Sequence, residues 1–440
     1  MMVKMTRTFL RCLFAFLFML EGHACTMVLV SGNATADGRP LMFKNRDSDD
    51  SLGVEMRIVE PRGFTYLGQF TKSTGPWGGY NEKGFAVANT LAYNVPAQAA
   101  TQNSWVTMKG LASCESVGDF EVMLDSMMET GMLMVKANYA VMDAQGNAAF
   151  YEVWESGYVK YDVNDRDVAP DGVLVRTNYC FSGTSKNRKG VDRHRIASIY
   201  MKGFQGVKVG WQDLLPLSRL LVNQNGVDLR DSAPKDYYDE TPVVLDGFIP
   251  RNISTNAMVI QGVREGESPL LTTCWVTVGV PMTTVVVPFC LTLDKELPAK
   301  AVSKDGNMAW LCEKGWTMRN KVFAYKGAKT KIDLSKLYNQ EETGVLQTVL
   351  RLEDEIIQKG EALFGEAREA GEMSSSALHA YYEWLDSYLE DEYVDAFGRE
   401  LLRERPLVLP ETLITFYLAE LMSHGNLHFL LQFLLLQSAK

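Results

Sequence analysis

Residues Cys25-Thr-Met-Val-Leu-Val30, Ser31-Gly32-Asn33-Ala34-Thr35-Ala36-Asp37-Gly38 and Pro40-Leu-Met-Phe-Lys-Asn45-Arg46-Asp47 decide how the chain is read. The first six are rich in β-formers, the next eight supply turn chemistry, and the last eight resume an apolar run. Strand, turn and strand make a hairpin, which returns Asn45-Arg46-Asp47 to the level of Cys25. A guanidinium and a carboxylate are thereby brought within reach of the thiol and the backbone nitrogen of Cys25. Charge pattern alone also fits the plainer reading, in which Arg46 and Asp47 solvate a strand end.

Upstream, Lys4, Arg7 and Arg11 precede an apolar run from Cys12 to Leu20, and Gly22-His23-Ala24 offers small residues for cleavage. This is the pattern of a secretory signal peptide, too short for a bilayer span. Its removal leaves 41 basic against 53 acidic residues, a net charge of −12, on an acidic, extracytoplasmic (periplasmic or secreted) protein. Cys25 would then carry both a thiol and a free α-amine. With an ordinary pKa of about 7.7–8.0, that amine is a usable general base at neutral pH. The chain has five histidines, two of them at His424 and His428, so a Cys-His pair has few candidates. A lipid-anchored Cys25 is the alternative, although Gly22 stands where an apolar residue is wanted.

The 440 residues carry 44 Lys+Arg against 54 Asp+Glu, net −10, with 46% hydrophobic and 22% charged residues. That composition is globular and excludes disorder or a many-span membrane protein. An acidic chain offers no footprint for phosphates, so no nucleic-acid partner is expected. Seven cysteines show no CxxC and no zinc-type Cys/His spacing, so neither a metal, nor a cofactor, nor a disulfide framework is expected.

Cys25-Thr26 and the DGRPLMFKNRD run ending at Asp47 resemble the N-terminal nucleophile hydrolases that cut linear amides. These are the choloylglycine hydrolase and penicillin V acylase group, and particularly the acyl-coenzyme A:6-aminopenicillanate acyltransferase-like hydrolases. The resemblance runs over roughly residues 25 to 300. It implies that Cys25 is the nucleophile and that Asp47, within Asn45-Arg46-Asp47, holds the α-amine. The segment from Tyr80 to Asn89 is similar to the family's NEKG stretch, which implies an oxyanion-hole group at Asn89 or at the backbone N–H of Asn89 or Thr90. The family's Asn lies two residues later, where this chain has Leu91. Val173-Leu-Val-Arg-Thr177-Asn178 resembles the strand that delivers the side-chain oxyanion donor, implying that role for Asn178. Asp192-Arg193-His194-Arg195 resembles the segment whose first arginine sits by the nucleophile, so Arg193 would hold the carboxylate network and favour thiolate. His194 and Arg195 read as helix surface.

Helical spacing runs from Ser116 to Glu129 and from Gly190 to Met201; Met134 to Asp143 and Asn147 to Val153 read as a hairpin. Further β-rich stretches span Asn256 to Val263 and Leu271 to Leu293. The resemblance implies an α+β fold, a four-layer αββα sandwich, with an additional C-terminal helical region. The expected organisation is a signal peptide over 1–24, the hydrolase domain over 25–335 and a helical extension over 336–440. Leu337 to Gly371 and Ser375 to Phe397 are charged and helical, while Leu413 to Leu436 is apolar but interrupted, and no stable membrane span is expected.

The implied function is a cysteine amidase or acylase acting on a small-molecule amide. Acyl transfer, a dipeptidase, and an inactive lipid-anchored binding protein are the alternatives. The sequence leaves acyl specificity and a homo-oligomer open.

Overall fold

The computed structural model describes residues 23–48, 53–71, 74–96, 103–304, 308–326 and 329–398. The greater part of the expected signal peptide and the apolar stretch from Leu413 to Leu436 lie outside the described residues.

β1 (His23–Val30) and β2 (Leu41–Ser48) form the expected antiparallel hairpin. A meander follows: β3 (Val54–Val59), β4 (Tyr66–Thr71), β5 (Thr74–Asn81) and β6 (Ala86–Leu91). The chain crosses through α1 (Asn103–Ser113) and α2 (Val117–Glu129), then extends the same sheet with β7 (Lys136–Met142), β8 (Ala148–Trp154) and β9 (Gly157–Asp162). β10 (Val173–Arg176) returns to pair with β1, and α3 (Val191–Lys202) comes next. After the short β11 (Pro242–Val244), strands β12 (Ser254–Gln261), β13 (Thr273–Thr277) and β14 (Val286–Cys290) complete a six-stranded sheet of order β10-β1-β2-β12-β13-β14. α4 (Trp310–Val322), β15 (Phe323–Lys326), β16 (Lys329–Asp333), α5 (Leu334–Leu337), α6 (Val345–Ala370) and α7 (Ser375–Phe397) end the described chain. β11, β16 and β15 form a third, three-stranded sheet that the sequence reading did not foresee.

Strand alternation assigns the faces. On β7 and β8, Tyr139, Val141, Tyr151 and Val153 share a core with Phe120, Leu124 and Met127 of α2, so these residues face helices. Their neighbours face the other sheet: Glu152 of β8 pairs with Arg176 of β10 at 2.7 Å. Likewise the Tyr80 hydroxyl accepts the Leu291 N–H at 2.8 Å. A side chain at Gly78 would come within 3.3 Å of Met258, so glycine there lets β5 approach β12. The outer face of the six-stranded sheet is covered in turn. Trp275 of β13 stacks on Trp211 at 3.9 Å and meets Phe364 of α6 edge-on. The Tyr382 and Tyr393 hydroxyls of α7 accept the backbone N–H groups of Cys290 and Val285. The layers are therefore helix, sheet, sheet, helix, and the fold is the α+β sandwich expected. α6 and α7 supply part of its outer layer.

Between the sheets, Glu152 does more than neutralise Arg176. It also accepts the N–H groups of Phe181 and Ser182 at 2.9 and 2.8 Å and the Ser182 hydroxyl at 2.7 Å. The turn directly after Asn178 is thereby tied to β8. Removing one partner of a fully buried ion pair leaves the other charge uncompensated, at a cost of about 3–5 kcal/mol. Glu152→Ala is expected to lose stability of that order in a urea titration; a shift below about 1 kcal/mol would contradict the anchoring role.

Candidate active site

The register of β1 sets the site. Cys25 lies opposite Arg46, Ala24 opposite Asp47 and Met27 opposite Lys44, as the hairpin reading anticipated for Arg46 and Asp47. Residues directly opposite share a face. Lys44 reaches the other sheet, donating to the Trp77 carbonyl at 2.6 Å and to Asn89 Oδ1 at 3.4 Å. Cys25, Arg46 and Lys44 therefore face the inter-sheet layer, while Thr26 and Asp47 face outward.

Asn178, one strand over, meets the backbone of Cys25. The Cys25 N–H donates to Asn178 Oδ1 at 2.8 Å. Arg193 Nη2 donates to the same oxygen at 2.7 Å. The Asn178 amide nitrogen donates to Thr90 Oγ1 at 2.9 Å and to the Leu91 carbonyl at 2.8 Å. Two donors on one side and a carbonyl on the other fix this orientation of the amide. The role implied for Asn178, a side-chain N–H aimed at the scissile carbonyl, is thus not what the geometry presents. Its carbonyl faces Cys25 because the chain continues through Ala24, and the Cys25 nitrogen is here an amide donor.

Arg193 enters from the first turn of α3. Nη1 donates to the Cys25 carbonyl and, at 3.0 Å, to Thr26 Oγ1. Gly190 precedes the helix at φ 80°, and an added Cβ there would collide with the Arg193 guanidinium. That position needs glycine for conformation and for space. His194 departs from the surface reading: it is half-buried, edge-on to Tyr179 and Phe181, and burial pushes its pKa down to about 4. Arg195 is exposed as expected.

Asp47 is buried opposite Ala24 and Ser254. Oδ1 accepts from Ser254 Oγ at 2.6 Å and from Asn45 Nδ2 at 2.9 Å. Oδ2 has no partner among the described residues. Burial raises the Asp47 pKa, opposed by the nearby Arg193 and Arg251 charges and by those two hydrogen bonds. Arg46 donates to Thr255 Oγ1 at 3.0 Å and lies over the Trp77 ring at 4.9 Å.

Asn89 is not brought to Cys25. Its amide nitrogen donates to the Asn103 carbonyl at 3.0 Å and to Thr107 Oγ1 at 3.1 Å, on the α1 side of the sheet. Its ladder partner Tyr139 belongs to the helix-facing core, so strand alternation points Asn89 away from the inter-sheet layer. Among the described residues no group of His, Cys, Asp and Glu is arranged to hold a metal. The six described cysteines are buried free thiols.

Lys44 is the residue that the motif reading passed over. Its signal was a cation inside the apolar run Leu41-Met-Phe-Lys44. Burial pushes its pKa down to about 7, partly offset by Cys25, with Arg46 lowering it further. The unfolded lysine, near 10.5, binds its proton over a range where the folded one does not. Stability at this site therefore rises with pH from about 7 to about 10.5 and is lost as pH falls through that window. Relative to Lys44→Met, the wild-type protein is expected to gain a few kcal/mol of unfolding free energy across it, measured by urea titration. Parallel stability curves for the two proteins would refute the buried neutral amine.

Comparisons with known proteins follow this geometry. Residues 34–198 match the family model described as Acyl-coenzyme A:6-aminopenicillanic acid acyl-transferase. No curated protein matches the chain. Among solved structures, penicillin V acylase from Agrobacterium tumefaciens is 12% identical, covering 62% of this chain and 86% of that one at a TM-score of 0.35. A variant of conjugated bile acid hydrolase from Clostridium perfringens is 11% identical, covering 64% of this chain and 98% of that one at a TM-score of 0.36. The chain is thus similar over residues 34–198 to that acyl-transferase family, and its αββα layering is the sandwich expected of the N-terminal nucleophile hydrolases that it resembles.

Proposed function

We propose that the protein is an extracytoplasmic acylase whose nucleophile is Cys25, freed as the first residue when the preceding segment is removed. The observation that carries this reading is the convergence on the Cys25 backbone. Asn178 Oδ1 holds its nitrogen at 2.8 Å, Arg193 holds its carbonyl, and Asp47 Oδ2, on the residue opposite Ala24, has no partner among the described residues.

In the processed chain the Cys25 nitrogen is an amine. Asn178 Oδ1 would accept one of its N–H groups, and Asp47, across the ladder from Ala24, would accept another and orient its lone pair. The amine takes the thiol proton and the sulfur attacks the amide carbonyl carbon, forming a C–S bond and an oxyanion. As the oxyanion collapses, the C–N bond breaks and the ammonium returns the proton to the departing nitrogen. Water, deprotonated by the same amine, then attacks the thioester carbonyl; the acid leaves and the thiol is restored. Arg193 stabilises the charge through its contacts to Cys25 and Asn178. Because both Asn178 N–H donors are committed to β6, the oxyanion would draw on backbone N–H groups or on a rearranged Asn178.

The description of the matched family favours a second outcome at the same thioester, attack by an amine in place of water. Added hydroxylamine would divert product to the hydroxamate in proportion to that partition.

The N-terminus and intact mass of the secreted protein test the reading. It requires a chain beginning at an unmodified, alkylatable Cys25. Cys25→Ala should abolish amide turnover, and Asp47→Asn or Arg193→Met should lower kcat by about 10²–10³. A chain retaining residues before Cys25, or lipid on it, would leave the amine unavailable and point to an anchored binding protein.

A further inference from the structure

Between β13 and β14 the chain runs through Val278-Gly-Val-Pro281-Met-Thr-Thr-Val285, and every one of these residues is buried. Connections ordinarily cross the surface, where water satisfies their backbone groups. Here other parts of the chain do so. Arg219, at the end of the 3-10 helix Trp211–Arg219, donates from Nε to the Pro281 carbonyl at 2.7 Å and from Nη2 to the Thr284 carbonyl at 3.0 Å. On α7 the Tyr393 hydroxyl accepts the Val285 N–H at 3.2 Å, and on α6 Glu353 Oε2 accepts the Val286 N–H at 2.9 Å. The Thr283 hydroxyl donates to the Gly315 carbonyl of α4 at 2.8 Å, and a Cβ at Gly315 would overlap Thr284 Oγ1. Glu353 and Arg219 also hold each other. Oε1 takes Nη1, Oε2 takes Nη2 at 2.8 Å, and both side chains are buried. A bidentate pair of this kind fixes orientation as well as charge, so Arg219 is a bracket between α6 and the connection.

The connection meets the row of Cys25. Cys25 lies opposite Arg46, Arg46 opposite Asn256, and the β12–β13 ladder ends one residue on, at Ala257↔Thr277. Val278 therefore leaves the sheet at the level of Cys25, three strand spacings or about 14 Å away. Val276, opposite Met258, shares the face on which Met258 approaches Gly78 of β5, and Cys25 faces the same inter-sheet layer. The connection, apolar at Val278, Val280, Met282 and Val285, thus bounds that layer on the side away from β1.

We propose that Glu353 is a positioning residue: through Arg219 it sets the 278–285 connection as the far wall of the space beside Cys25, so that the C-terminal helices limit how long a group that space accepts. Arg219, Glu353 and Tyr393 all lie outside the stretch matched by the acyl-transferase family model, and the wall belongs to a part of the chain to which that match assigns nothing. The inference rests on the Cys25 acylase reading for its reaction, but the space itself is measured without turnover.

Alkylation of Cys25 by N-ethylmaleimide and by N-decylmaleimide, a short and a long apolar reagent, measures that space on the folded full chain, with peptide mass assigning the modified thiol. Glu353→Gln keeps the shape of the side chain but not its charge, and Tyr393→Phe removes one acceptor while leaving the ion pair in place. In both, the decyl-to-ethyl rate ratio is expected to change about fivefold or more while the ethyl rate stays within about twofold. Hydrogen exchange at Val285 and Val286 should quicken in the same variants. Asp386→Asn is the control: Asp386 anchors α7 to a different connection, accepting the Ala299 and Lys300 N–H groups at 2.7 Å, and its loss should leave the ratio unchanged. A ratio unmoved in both variants, or moved as far by Asp386→Asn, at a Cys25 that still takes N-ethylmaleimide, overturns the wall and leaves the acylase reading standing. A Cys25 inert to both reagents in every variant overturns both.

Discussion

The placement of β1 between β10 and β2 is the constraint on which the site depends. A slip of one residue would turn Cys25 to the outer face and Thr26 inward. Apolar patterning does not prevent this slip, because β1 is buried on both faces from Ala24 to Val30 and offers no alternation to read. Polar groups hold the register instead. Thr26 and the Cys25 carbonyl meet Arg193 on the outer side. Arg176, opposite Met27, meets Glu152 between the sheets, and Lys44, also opposite Met27, donates to the Trp77 carbonyl of β5. Each of these would be stranded by a one-residue shift, and stranded buried charges are costly.

The same groups divide the electrostatics around Cys25 into two zones. Outside the sheet, Asp47 lies within the field of two cations, Arg193 and Arg251, and Arg193 also meets the Cys25 carbonyl. Inside, Arg46 and Lys44 share the face of the Cys25 side chain, and the Glu152 carboxylate on that layer is already bound to Arg176. The thiol therefore shares its layer with the Arg46 charge and with a Lys44 whose pKa burial pushes down to about 7, whereas the nitrogen belongs to the side on which a carboxylate is held. That asymmetry suits a group that must lose a proton at sulfur and gain one at nitrogen.

Much of this was legible in the sequence, and the limits have physical causes. Turn residues between two β-rich runs located the hairpin and returned Asp47 to its level. Ser116 and Asp119 form the capping box that starts α2, close to where helical spacing placed it. The motif does not tell the neighbours of Asn89, whose amide nitrogen is taken up by Asn103 and Thr107 on the α1 side of the sheet. The sequence names Asn178 but not which end of its amide turns inward, and with Ala24 in place it is the oxygen that meets the Cys25 nitrogen. Lys44 escaped because it stands where the apolar run Leu41-Met-Phe passes into the polar Asn45-Arg46-Asp47, and periodicity cannot distinguish a lysine that snorkels from one that is enclosed. The docking of α6 and α7 was hidden for a related reason: an apolar helix stripe shows that something is covered, but not which sheet.

In the proposed enzyme, Asp47 would couple removal of the upstream segment to the chemistry. With Ala24 in place, a buried carboxylate has one oxygen satisfied and the other without a partner, and burial raises its pKa. Such a group is poorly suited to staying charged. Breaking the Ala24–Cys25 bond replaces a neutral amide N–H, across the ladder, by an amine that can carry a proton. An ammonium beside Asp47 would favour the carboxylate, and the carboxylate would in turn favour the ammonium. The amine would then be a stronger base than an isolated terminus, better able to hold the thiol proton. Catalytic competence in the proposed enzyme would thus arise from the removal itself, through one new charge placed where the fold already holds its partner.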